Sequence, residues 1–246
     1  CAILEALGII GSHDAVRPLL DMLGAKGQYV RFAVARTLLT IMSTDDIASL
    51  DDPDRGTLKD ILDAYLVEAE DEVQYRILST LERIGASSSA QSIIDLAGRV
   101  DHDNEPDKWE AVKSALAAVG DIRTMVNLLD GDEKSVILGA EMLGRMGGER
   151  EGLELASRVF SQQGYVKRSM TEALARIGGA GLRDTMLRLT GDQDGHVVAS
   201  ALRSLGEIGD PDDIRKIRKF LQHPYPDVQD LALDAIARIG TAKAEE

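Results

Sequence analysis

The residues of this sequence able to do chemistry fall into small clusters. Acids gather at Asp101-His-Asp-Asn-Glu105 and at Asp192-Gln-Asp-Gly195. A calcium loop needs oxygen ligands at alternate positions, glycine at the sixth and a bidentate acid at the twelfth. Counted from Asp101 the last two positions hold Pro106 and Val112; counted from Thr190 they hold Gly195 and Ala201. Both clusters therefore fit solvated turns and helix caps. The four histidines, His13, His102, His196 and His223, fall in turns between predicted helices, and none belongs to an HExxH pair. No G-x-S-x-G elbow holds a nucleophilic serine, and no P-loop offers a phosphate cradle. Cys1 is the only cysteine, which excludes an internal disulfide and a cysteine-based metal site. The sequence predicts no catalytic residue, no metal and no cofactor.

Charged rows are the more specific feature. By helical spacing from an apolar stripe, the outward positions are Lys167, Arg168, Glu172 and Arg176, then Arg203 and Glu207, then Asp230, Asp234 and Arg238. Mixed charges in rows suit a polar protein surface; solvation, or ladders between neighbouring helices, would account for them equally. A basic cluster, Arg215-Lys216 and Arg218-Lys219 with Arg188 31 residues before Lys219, reads as a solvated outer face. Trp109, in an acidic stretch, is expected to pack between helices, with an exposed binding anchor as the other reading.

The elements that must position these residues repeat. Leu143-Gly-Arg-Met-Gly147, Leu174-Ala-Arg-Ile-Gly178, Leu205-Gly-Glu-Ile-Gly209 and Ile236-Ala-Arg-Ile-Gly240 end on glycines 31 residues apart. Looser copies end at Gly11, Met42, Gly85 and Gly120, and the 43-residue step from Met42 to Gly85 marks an insertion near residues 43–70. That insertion is expected to start as a loop around Asp51 to Gly56 and continue as a helix from Thr57 to Glu70. Each copy reads as a turn, a helix opened by valine (Val30, Val73, Val166, Val197, Val228), a glycine stop and a second helix. One such hairpin cannot bury its apolar side alone, so neighbours must stack. The expected fold is all-α: a solenoid of about seven to eight helical hairpins spanning residues 1–246 as one array. Because the chain opens inside a repeat at Cys1, it is expected to be a fragment truncated on the N-terminal side.

Bulk composition agrees with helices and narrows the partners. Aromatic residues make up 4% of the chain, and the formal net charge is −14. Residues 1–120 carry 21 acids against 11 bases. Such acidity opposes nucleic acid, whose binding requires Lys and Arg to displace counterions from phosphates. No run of 18 apolar residues exists, so no membrane partner and a cytoplasmic location are expected.

The stretch Val197-Val-Ala-Ser-Ala-Leu-Arg-Ser-Leu-Gly-Glu-Ile-Gly-Asp-Pro-Asp-Asp-Ile resembles the short HEAT-like repeat of phycobilisome lyase subunits. The resemblance implies a right-handed α-α superhelix whose valine-opened helices line a concave side. It also adds Arg31, in the pair Val30-Arg31, to the candidate binding residues. A scaffold or adaptor that holds a protein partner on its concave face is the function expected, and not an enzyme. The alternative implied by the resemblance is a subunit of a bilin lyase-like enzyme handling a tetrapyrrole.

Overall fold

The computed structural model describes residues 2–24 and 27–242. Among them there is no strand, and the helices fall into two compact units, residues 1–121 and 122–246.

The first unit contains α1 (Ala2–Ile10), α2 (Val16–Met22), α3 (Gln28–Ile41), α4 (Thr44–Ser49), α5 (Asp52–Leu66), α6 (Asp71–Ile84), α7 (Ala90–Ala97) and α8 (Pro106–Val119). The second contains α9 (Ile122–Leu128), α10 (Glu133–Met146), α11 (Glu149–Arg158), α12 (Gly164–Ile177), α13 (Arg183–Leu189), α14 (Gly195–Ile208), α15 (Ile214–Ile217) and α16 (Pro226–Ala242). Helices α1, α3, α6, α8, α10, α12, α14 and α16 carry the sequence motif. In the second unit α10, α12, α14 and α16 pack side by side, each in turn against the next, while α9, α11, α13 and α15 back them.

The stripe predicted from the motif is the core. Leu38, Leu81, Leu116, Leu143, Leu174 and Leu205, each four residues before the stop, have no exposed surface. Burying each such side chain contributes roughly 1.5–3 kcal/mol. The opening valines Val73, Val166, Val197 and Val228 are buried as well, but Val30 is 43% exposed.

Turn chemistry sets the helix starts. Asp132 accepts from the Ser135 N–H at 2.9 Å to cap α10, and Asp194 accepts from the His196 N–H at 2.9 Å to cap α14. The glycine stops divide into two kinds. Gly85 ends α6 with φ +68°, as a left-handed terminus requires. Gly147 ends α10 with an extended backbone (φ −79°), where a Cβ would meet the Leu143 carbonyl oxygen at 2.6 Å. Gly120 and Gly209 are likewise extended, and α16 runs through Gly240 to Ala242. The glycine stop is therefore a left-handed device in some copies and a packing requirement in others.

Residues 43–70 are helical almost from the outset. Ser43 and Asp46 form a capping box that starts α4, and Asp51 accepts from the Asp54 N–H at 3.0 Å to start α5. The stretch expected to loop, Asp51 to Gly56, is instead the cap and opening turns of α5, with Pro53 in the first turn where it costs no hydrogen bond. Helix α5 packs on α3, α6 and α7.

Candidate functional site

In the second unit the motif helices leave one face uncovered by the backing helices. On α12 it shows Arg168, Glu172 and Arg176; on α14 Arg203 and Glu207; on α16 Asp230, Asp234 and Arg238. All eight are exposed, in rows set by the 31-residue repeat. Arg238 lies 2.8 Å from Asp234 and 3.8 Å from Glu207. Arg176 and Arg203, by contrast, have no ion pair among the described residues. They are exposed guanidiniums with their donors unused.

Lys167 and Arg168 are engaged within the chain. The Lys167 ammonium lies 2.5 Å from Asp192, with both side chains 16% exposed, and Arg168 Nε donates to Asp194 at 2.6 Å. Burial pushes the Asp192 and Asp194 carboxyls up, but the bonds from Lys167 and Arg168 and from backbone N–H groups outweigh it and hold both low. The turn acids that the sequence presents as caps thus also clamp one motif helix to the turn of the next. Arg31 occupies the register position of Lys167 in the first unit, on the flank of α3, and its Nε is buried without a hydrogen-bond partner among the described residues.

The outer basic cluster is engaged in part. The Arg188 guanidinium lies 3.8 Å over the Phe160 ring, and Lys216 lies 3.4 Å from Asp213. Trp109 is 5% exposed and packs inside the first unit. Asp101, His102 and Asp103 bring potential metal-binding atoms within 4.8 Å of one another. The Asp101 carboxylate, however, accepts from Asn104 Nδ2 at 2.7 Å and from the Asp103 N–H at 3.1 Å, which are turn bonds.

The first unit holds a feature that sequence reasoning missed. A cavity of about 700 Å³ opens between α1, α3 and α5, walled by Tyr29, Phe32 and Tyr65 with Glu5, Arg36 and Glu68 around them. The Phe32 and Tyr65 rings stack with centroids 4.5 Å apart, and Tyr29 is 87% exposed. Burial pushes the Tyr65 hydroxyl up, against the opposing effect of the Arg36 charge. One of three phenylalanines and two of five tyrosines meet here, a concentration visible only once α5 is folded against α3. The 43-residue step was the available signal.

This architecture is that of an α-helical repeat protein. Residues 152–237 match the family model for HEAT repeats. Similar solved structures include an engineered protein (18% identity, TM-score 0.45, 97% of this chain and 84% of that one). Another is an archaeal HEAT-like repeats protein from Thermococcus onnurineus (14%, 0.37, 97% and 92%). The complex of CpcE and CpcF of phycocyanin lyase from Nostoc also matches (15%, 0.34, 96% and 88%). No curated protein sequence matches the chain. No helix of the described residues is long and apolar enough to cross a membrane.

Proposed function

We propose that the protein is a binding scaffold that holds a protein partner on the uncovered face of α12, α14 and α16. The observation that supports this reading is the pair Arg176 and Arg203, exposed and without ion-pair partners among the described residues. Buried, paired charges are structural; exposed, unused guanidiniums in register with carboxylates suit a polar interface, where Arg is enriched. Stacked helical repeats supply such a surface without any catalytic group.

The test is affinity capture from native lysate at moderate salt, comparing the wild type with Arg176→Glu/Arg203→Glu. A stoichiometric partner captured by the wild type and lost by the variant supports the reading. Equal capture by both sinks it. A coloured sample, or a gain in visible absorbance with added bilin, would instead favour the tetrapyrrole-handling subunit.

A further inference from the structure

We propose that the aromatic groove of the first unit is a receptor for arginine or lysine side chains presented by a flexible segment of a partner protein. The proposal rests on the reading of the chain as a protein-binding scaffold and adds a second, chemically defined site to it.

The groove exists because of the inserted helix. Helix α5 supplies Tyr65 and the turn after it Glu68, α3 supplies Tyr29, Phe32 and Arg36, and α1 supplies Glu5 and Ile9. Tyr65 is fixed by its stack on Phe32, whereas Tyr29 and Ile9, each 87% exposed, leave apolar surface open to solvent. Glu5 and Glu68 are exposed and have no ion pair among the described residues. Arg36, the basic residue of the lining, lies 3.8 Å from Glu70 in an exposed pair, so the groove carries one cation against the two carboxylates of Glu5 and Glu68.

Charge and shape select the occupant. A guanidinium is flat and weakly hydrated, stacks on aromatic faces and donates to carboxylates at the same time. Tyr29 and the half-buried Tyr65, backed by Phe32, offer the aromatic surface, and Glu5 and Glu68 the acceptors. An acidic occupant would meet two unpaired carboxylates inside a region, residues 1–120, with 21 acids against 11 bases. A cavity of about 700 Å³ accommodates a few side chains of an extended segment and not a folded domain.

The probe is a fluorescein-labelled acetyl-Ala-Arg-Ala-Arg-Ala amide, with the glutamate analogue of the same length as control, measured by anisotropy on the full chain. The expected result is binding of the arginine peptide and none of the acidic one. Glu5→Gln/Glu68→Gln and, separately, Tyr29→Ala should each weaken binding about tenfold. Those residues are exposed, so circular dichroism should show the variants folded. Arg176→Glu/Arg203→Glu should bind the peptide as the wild type does. Failure of the wild type to bind, equal affinity for the acidic peptide, or undiminished binding by the Glu5, Glu68 and Tyr29 variants would overturn the proposal. The scaffold reading fails on a different result, namely unchanged partner capture by the Arg176→Glu/Arg203→Glu variant, so the two are separable.

Discussion

Arg183 grips the carboxylate of Asp213 with two parallel bonds, Nε to Oδ2 at 2.6 Å and Nη2 to Oδ1 at 2.9 Å, across 30 residues of sequence. The Asp213 side chain has no exposed surface while that of Arg183 is 32% exposed. Burial raises the carboxyl's affinity for a proton, yet the Arg183 bonds, the Asp210 N–H at 3.0 Å and nearby Lys216 reverse that and hold its pKa below the ordinary 3.8. A fork of this kind ties the start of α13 to the turn before α15, fixing adjacent hairpins in the second unit.

Asp213→Asn should therefore destabilise the protein by about 2 kcal/mol at pH 7, because a buried amide would face a guanidinium whose charge is no longer answered. The sign of the pH dependence follows from the lowered pKa. The carboxylate's stabilisation is complete above 3.8 and is lost as pH falls through the lower folded value. Urea unfolding should show the gap between wild type and variant closing below pH 3.8; a gap that is constant with pH would contradict this account.

Gly144 and Gly8 occupy the same motif position with different neighbours. A Cβ on Gly144 would come 2.8 Å from the Ala173 Cα, which is backbone and cannot swing aside, whereas one on Gly8 would meet only the Thr37 Cγ2 at 3.9 Å. Gly144→Ala should cost about 1–3 kcal/mol through overpacking. Gly8→Ala should be neutral or stabilise by up to about 1 kcal/mol, since alanine is the better helix former. Thermal melts of the two variants should move in opposite directions or at least differ clearly; equal shifts would refute the close-packing role of Gly144.

These positions mark what the sequence makes legible. The phase of the Leu-x-x-Ile-Gly motif fixes which helices carry the core, and Leu143, Leu174 and Leu205 are buried as that phase requires. The same phase places Glu172, Arg176, Arg203 and Glu207 on one exposed face. The fate of individual charges is not legible, because whether Lys167 reaches Asp192 depends on how far one hairpin is rotated on the next. Nor is the backbone conformation of a glycine: Gly178 with φ +64° and Gly209 with φ −73° follow nearly identical motifs. The aromatic groove was hidden for another reason. Tyr65 lies 33 residues after Phe32, outside the repeat's phase, and only tertiary packing stacks them.

Asp194 serves two roles that substitution can separate. Its Oδ1 caps α14 through the His196 N–H, and its Oδ2 accepts from Arg168. Asparagine retains an oxygen for the cap and loses the charge; alanine loses both. Asp194→Ala should cost about 1–2 kcal/mol, and Asp194→Asn at most about 1 kcal/mol, because Arg168 is 44% exposed and solvent screens the pair. Chemical unfolding in 1 M salt should leave the alanine penalty largely intact, and its disappearance there would assign the stabilisation to the ion pair instead of the cap.

The Tyr65 hydroxyl offers a direct report on the groove. Burial raises its pKa above the ordinary 10.0, with the Arg36 charge pulling the other way. An acid whose folded pKa is raised resists ionisation that the unfolded chain undergoes, so stability should fall as pH rises past 10. Ultraviolet titration of the five tyrosines should show a late component that is missing in Tyr65→Phe and shifted still higher in Arg36→Ala. A bound cation beside Tyr65 would favour the phenolate and draw that component back towards 10. Adding the arginine peptide during the titration should therefore lower the late pKa in the wild type, and about tenfold more peptide should be needed for the same shift in Glu5→Gln/Glu68→Gln. A late component indifferent to the peptide in the wild type would mean that the cation binds away from Tyr65, against the site assigned to it.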